Sequence, residues 1–381
     1  MNQFETYYKT LPDSTTQLRK DYRDATELPK FAYREGADIP NVHIGQRKLL
    51  ITEIRFLTEV ATGDLQLCIY AGSAKGHHLG IVHKLFPAIK WLLFDTSNHF
   101  IVSDEDNPIQ TDKNSRVIHN YDFLREPLDL PFYIKKGYFT DDVAKEIKAI
   151  CDERSLPILF ISDVRASDKK NPTDFEVVVD QMRQYQWRES LGNPASLLKT
   201  RSAFKQIHRR DILPITDKEL NYLVINNLSD GNWTPTVRGD IWLQPWAGRE
   251  SAEVRIYAPA GQNDILLLNN KEHEDTLFTH NIWRSAVPHK HSPTFPDLGF
   301  SQNWDCAMEY HIWSEYIEKW NPDLQVEDLI KESMIYTFPQ YKGVITTLAT
   351  PYGCRVYNTK PTTFVYRSLR RAFVKFGDRQ S

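Results

Sequence analysis

The chain has 381 residues, 41% of them hydrophobic, and carries 47 basic against 50 acidic side chains for a formal charge of −3. That length can bury one large core or two modest ones, and the near balance of charge excludes a nucleic-acid affinity resting on the global field. Cys68, Cys151, Cys306 and Cys354 lie far apart without CxxC spacing, which argues against a zinc module or disulfide scaffold and for a reducing compartment. The opening MNQFETYYKT has neither a basic nor an apolar leader region, and no run approaches the roughly 18 to 20 apolar residues of a membrane span. The expectation is a soluble, intracellular protein with no membrane partner.

Residues 1–44 are polar, tyrosine-rich and without period, and read as an irregular arm over the body. Leu50, Ile54 and Leu57 then fall at helical spacing and predict a helix over 46–60. LQLCIYAG (65–72), KWLLFD (90–95), RVIHNYDF (116–123) and PILFISDV (157–164) read as buried strands, with helices near 76–87, 140–152 and 173–189. Strand, helix, strand at this pitch predicts an α/β fold with a mostly parallel, doubly wound sheet. DIWLQPWAG and AEVRIYAP predict two short antiparallel strands, tightly connected, that close the sheet, and NWDCAMEYHIWSEYIEKW a helix with Trp304, Met308 and Ile312 on its packing face. The final segment, from 346, is the most basic in the chain, with Arg367, Arg370, Arg371, Lys375 and Arg379 against Asp378 alone. The body is thus expected over 45–345.

In an open parallel sheet the ligand lies beyond the carboxyl ends of the strands, where the first strand turns into its helix. AGSAKG puts Gly72, Ser73, Ala74 and Gly76 there, and Asp95 ends the next strand, positioned to accept from ribose hydroxyls. An adenosine-containing ligand follows. The GxGxxG pattern of a pyrophosphate site is altered to GSA followed by Lys75, His77 and His78, which speaks against a dinucleotide and fits S-adenosylmethionine. Nothing has metal-ligand spacing, and His77, His289 and His291 read as surface or capping residues.

Four charged residues sharpen the ligand question: Lys48 at the start of the first helix, Asp163 in FISDVR, Lys199 in SLLKTRSAF and Glu253 in ESAEVRIY. Singly, each has an ordinary explanation as a solvated helix residue, a cap or a surface ion. Together, with GQRKLL, YAGSAKGHHL, KWLLFD, LQPWAGRESAEVR and the looser NTKPTTFVYRSLRRAF, the chain resembles the poxvirus-type cap-specific mRNA nucleoside-2′-O-methyltransferase family, whose members also serve as the small regulatory subunit of poly(A) polymerase. The resemblance runs over about residues 45 to 376 in the family's order and implies a Rossmann-like methyltransferase fold.

The resemblance implies Lys48, Asp163, Lys199 and Glu253 as catalytic residues, with Lys199 as the base that takes the 2′-hydroxyl proton. For that its pKa must fall from about 10.4 towards neutrality, with desolvation opposing the two acids. It places Gln46, Tyr70, Gly72, Ser73, Ala74, Gly76, His78, Asp95, Asp163 and the adenine-flanking Tyr138 and Phe139 around S-adenosylmethionine. On the RNA side it places Phe204 as a ring stacked on the N7-methylguanosine cap, Tyr33 as a second ring or a packing tyrosine, and Glu274 as a guanine-binding acid. Ser251 joins them, with Arg165 and Arg255 as phosphate clamps or as ion-pair partners of nearby acids. The sequence departs from the family at Gln206, where an acid is usual beside the cap, and at Ser97, where an arginine is usual. A non-catalytic RNA-binding subunit partnered with a poly(A) polymerase is the alternative from another class, and a nicotinamide oxidoreductase the third. The location implied is the cytoplasm, or a virion if the chain is viral.

Overall fold

QLCIYA is buried at all six positions, as an apolar run covered on both faces should be, and forms the central strand of the sheet. The computed structural model describes residues 45–101, 115–165, 173–202, 233–248, 251–270, 273–274, 277, 280–281, 304–337, 345–349 and 354–356. The expected arm at 1–44 and most of the basic tail, with Tyr33, Phe204, Gln206, His289, His291, Arg370 and Arg371, lie outside the described residues. In chain order the strands are β1 (Gln66–Ala71), β2 (Ile89–Asp95), β3 (Ser115–Val117), β4 (Phe132–Lys136), β5 (Ile158–Ser162), β6 (Ala195–Arg201), β7 (Trp233–Val237), β8 (Asp240–Trp242), β9 (Glu253–Ala258), β10 (Ile265–Asn269), β11 (Ile345–Ala349) and β12 (Cys354–Val356). The helices are α1 (Gly45–Val60), α2 (Leu79–Leu85), α3 (Asp141–Glu153), α4 (Asp174–Ser190), α5 (Trp304–Trp320) and α6 (Val326–Thr337).

Eight strands form one sheet in the order β3-β4-β2-β1-β5-β6-β9-β8. Neighbours from β3 to β6 are parallel, whereas β9 runs antiparallel to both β6 and β8. The fold is therefore the α/β, Rossmann-like methyltransferase class expected from the sequence. Chain order reverses direction at β1, whose neighbours are β2 and β5, so the switch point opens between the loops after β1 and β5. β7 with β10, and β11 with β12, form two further antiparallel pairs.

Several expected elements end elsewhere, for local reasons. The strand expected over 116–123 stops at Val117, and a 3-10 turn follows at Asp122–Arg125 behind Asn120, whose amide donates to Asp122. α2 starts at Leu79 rather than near 76, because Gly76 occupies a positive φ of 65° in the preceding turn. β8 is only three residues long, and residues 243–252 rather than a tight turn connect it to β9. Six strands, β4, β6, β7, β10, β11 and β12, lie outside the runs read as strands from the sequence. The two long helices after β4 and β5 match the expected spans to within a residue. Thr140 caps α3 by accepting from Val143 N at 3.3 Å, and Thr173 with Glu176 forms a capping box on α4.

α1 packs against α5, α6 and α2, while α3 packs against α4. Around α1 the core is not wholly apolar. Arg47 is fully buried, donates from Nε to Glu309 Oε2 at 2.9 Å, makes a second contact with Glu309 Oε1, and donates to Ser333 Oγ at 3.2 Å. Trp246 and Trp313 donate their indole N–H groups to the same carboxylate, at 2.7 and 3.1 Å. The charges at Arg47 and Glu309 survive burial because each satisfies the other. Glu309→Leu should cost about 3 to 5 kcal/mol in urea unfolding, and adding Arg47→Met should recover part of it, since a buried guanidinium that loses its carboxylate is worse than neither charge. A loss below about 1 kcal/mol for the single variant would contradict this account of how α1 is fixed.

Candidate active site

The antiparallel register of β6 and β9 sets the site. It pairs Lys199 with Arg255 and Arg201 with Glu253, and side chains two apart on a strand share a face, so all four point the same way. Asp163 follows the last residue of the neighbouring β5, and Lys48 lies in the first turn of α1. Lys199 Nζ stands 2.9 Å from Asp163 Oδ1 and 3.3 Å from Glu253 Oε2, and Lys48 Nζ donates to Glu253 Oε1 at 2.8 Å. The four residues named from the sequence therefore meet at one point, each partly open to solvent with 12 to 18% of its side chain exposed.

Arg255 completes the cluster from beneath. Its guanidinium is 3% exposed and donates to Asp163 Oδ1 at 2.7 Å and to Glu253 Oε1 at 3.1 Å. Of the two readings for Arg255, phosphate clamp or ion-pair partner, the structure gives the second. Arg165 is more open, with Nη2 at 3.7 Å from Glu253 Oε2. Burial works to raise both acids, yet the charges of Lys199, Arg255 and Lys48 outweigh it, holding Asp163 below its ordinary value and Glu253 well below. Burial together with the charges of Arg255 and Lys199 pushes the Lys48 ammonium downward, against the pull of Glu253 and Asp163. Gln184 fixes the backbone of Lys199 by donating to its carbonyl at 3.0 Å, and Ser251 Oγ accepts from Glu253 N at 3.2 Å.

Beside this cluster lies the turn after β1, at the switch point where an open parallel sheet has its crevice beyond the strand ends. Gly72 has φ 79°, and a Cβ there would meet the backbone of Asp163 and Val164 at 2.9 Å, so the first and fifth strand ends can approach only because the residue is glycine. Asp95 Oδ2 accepts from Ala74 N at 3.0 Å and Oδ1 from Ser97 N at 2.8 Å, which aims the carboxylate and leaves lone pairs on both oxygens. Ser73 Oγ is 2.8 Å from His99 Nε2. His78 is buried, with Nδ1 2.9 Å from Gln46 Oε1 and Nε2 2.9 Å from Glu53 Oε2. Tyr70 is buried and donates to Glu53 Oε1 at 2.8 Å. Tyr138 and Phe139 part company: Tyr138 is 73% exposed, whereas the Phe139 ring is buried against Phe94, Phe160 and Trp187. Phe139 thus has a core ring, and only Tyr138 offers a face to a ligand.

Ser202 Oγ donates to Glu274 Oε1 at 3.3 Å, which sets Glu274 beside the end of β6. Arg201, ion-paired with Asp174 at 2.8 Å, was not anticipated, although period-two alternation from Lys199 points to it. Glu53 was missed as well. Its signal is an acid lying three residues after Leu50 and four before Leu57, in the middle of an apolar helical stripe. Among the described residues no group of three or more His, Cys, Asp or Glu is arranged to hold a metal ion, and no helix is long and apolar enough to cross a membrane.

An α/β sheet of Rossmann-like methyltransferase class, with a lysine and carboxylate cluster at its switch point, is what fold and site define. Over residues 29–282, more than half of its length, the chain matches the family described as Poly A polymerase regulatory subunit, and it belongs to that family. It is also similar to the protein named cap-specific mRNA (nucleoside-2′-O-)-methyltransferase of fowlpox virus (strain NVSL), at 27% identity over 233 residues, which are 59% of this chain and 60% of that relative. The chain thus spans less than two thirds of the relative's length.

Because Asp163 and Glu253 are held below their ordinary values, their ionised forms stabilise the folded state above the usual carboxylate range, and that contribution is lost as pH falls towards the lower, folded values. Between about pH 5 and pH 2, thermal stability should therefore fall more steeply for the native chain than for Asp163→Asn. Parallel curves would show that the cluster does not stabilise the fold in this way.

Proposed function

We propose that the chain is an S-adenosylmethionine-dependent methyltransferase that modifies the ribose 2′-hydroxyl of the first transcribed nucleotide of N7-methylguanosine-capped RNA. The observation that carries the reading is the meeting of Lys48, Asp163, Lys199 and Glu253 beside a glycine turn whose partner strand ends in a fixed carboxylate. The residues present fit the donor. Gly72 and Gly76 keep bulk out of the turn, Asp95 has lone pairs for a ribose diol, and Tyr138 has a free face for a base. S-adenosylmethionine supplies, when bound, an electrophilic methyl group on its sulfonium.

The chain's own work is alignment and the handling of one proton. Lys199, as the neutral amine, takes the proton of the 2′-hydroxyl: the O–H bond breaks as an N–H bond forms, and the oxygen becomes nucleophilic enough to accept the methyl group. Asp163 and Glu253 hold Lys199 Nζ from two directions, and Glu253 ties Lys48 into the same array. Arg255 keeps the two acids apart and paired, so neither needs a proton of its own. Arg165, more exposed than Arg255, is available to an RNA phosphate, and Glu274, beside the end of β6, is available to the guanine of the cap.

A second reading, an RNA-binding subunit that supports a poly(A) polymerase, is favoured by the family match. It is compatible with the first, since a partner surface and a methyl-transfer site need not share residues. The two separate when the protein is incubated with labelled S-adenosylmethionine and short RNA bearing a methylated, unmethylated or absent cap. Label should enter only the N7-methylated RNA. Lys199→Arg should abolish incorporation while leaving capped-RNA binding intact, because a guanidinium gives up no proton at accessible pH. Turnover by that variant would remove Lys199 from the chemistry. Asp95→Ala should weaken S-adenosylmethionine binding by about 1.5 to 3 kcal/mol in calorimetry, and unchanged affinity would show that the crevice holds something else.

A further inference from the structure

Glu53 has a buried side chain that nothing in the reaction outlined above uses. It is 1% exposed, on the third turn of α1, and its two oxygens serve different elements: Oε1 accepts from the Tyr70 hydroxyl at the end of β1, and Oε2 lies 2.9 Å from His78 Nε2 in the turn before α2. Both carboxylate oxygens thus face donors, and Nε2 is the proton-bearing nitrogen of His78. Nδ1 then accepts from the Gln46 side-chain N–H, with that amide turned end for end from the orientation that sets its Oε1 2.9 Å away. Gln46 and Glu53 are seven residues apart, two turns along one face of α1, so a single helix supplies the first and third members of a chain that runs Gln46, His78, Glu53, Tyr70. His78 is itself 1% exposed, whereas Gln46 is only partly buried, so the chain leads from the core to the wall of the crevice.

We propose that Glu53 is a positioning residue for the donor side of the site: by fixing the tautomer and ring orientation of His78 it holds the Gln46 amide at the crevice and locks the glycine turn against α1. This rests on the reading of the crevice as the S-adenosylmethionine site. A buried carboxylate is costly unless its charge and lone pairs are met, and a purely structural role at this point of an apolar stripe is filled at lower cost by leucine. The carboxylate is instead matched at both oxygens by groups on the two segments that form the crevice.

Two variants and two readouts test it. Glu53→Met removes the acceptor at similar length, and Glu53→Gln keeps an oxygen that His78 can use. Calorimetry with S-adenosylhomocysteine should show roughly a tenfold loss of affinity for Glu53→Met, equivalent to about 1.4 kcal/mol, and a loss within about threefold for Glu53→Gln. In nitrogen NMR of the ligand-free protein, His78 should carry its proton on Nε2 in the native chain and in Glu53→Gln, and lose that single tautomer in Glu53→Met. If Glu53→Met does not fold, Glu53→Asp replaces it. One methylene shorter, it cannot reach both partners, and it should show the same loss.

A folded Glu53→Met, or Glu53→Asp in its place, with native S-adenosylhomocysteine affinity overturns the proposal. So does an equal loss in Glu53→Gln and the truncated variant with the His78 tautomer unchanged. Failure of the native chain to bind S-adenosylhomocysteine would refute the donor-site reading instead. The His78 spectrum would still report on its own whether Glu53 sets the ring.

Discussion

Two carboxylates at the end of the sheet, Asp163 and Glu253, determine how much positive charge the switch point can hold. Lys48, Lys199 and Arg255 all reach them within 3.3 Å, and Arg165 stands a little farther out. Without the acids these cations would repel one another in a partly desolvated cleft, and without the cations the acids would take up protons. The cations hold the two acids in their ionised form. The cluster also carries more positive than negative groups, which favours an anionic ligand there.

The rest of the architecture can be seen as what brings those groups together. The antiparallel return of β9 beside β6 is the one departure from parallel order that matters, because it sets Glu253 and Arg255 across from Arg201 and Lys199. Helix α1 completes the arrangement with three separate attachments. Arg47 anchors it to α5 through Glu309, Lys48 and Thr52 reach Glu253 and Gln244, and Gln46 with Glu53 grips the turn after β1. On a helix buried on so many sides, such partners offset the cost of taking these polar groups out of water. Rigid seating of α1 then has a functional consequence, since the same helix positions a lysine of the charge cluster and the wall of the crevice.

Much of this was legible in the sequence. The parallel strands around the glycine turn announce themselves as short apolar runs ending in small or acidic residues, and Lys48, Asp163, Lys199 and Glu253 stand out by their motif contexts alone. What could not be read depends on long-range pairing. ASLLKTR, the β6 segment, mixes charges into an apolar run and so does not read as a buried strand, and only its place between β5 and β9 explains that mixture. Phe139 sits beside an exposed tyrosine in the chain yet turns into a cluster of three other rings. Arg255 follows Glu253 by two, a spacing that permits a phosphate contact equally with the internal ion pair the structure shows. In each case local pattern fixes the residue's character, and tertiary contact decides its job.

The central claim is that the charge cluster delivers a methyl group to a ribose oxygen and not to a base. The most direct measurement is mass spectrometry of nuclease digests of N7-methyl-capped RNA after incubation with the protein and S-adenosylmethionine. The account predicts one added methyl on the first transcribed nucleotide, in a linkage to the next residue that resists alkali because its 2′-oxygen is blocked. A methyl group found on a base, or no methyl gained by capped RNA that the protein demonstrably binds, would contradict it.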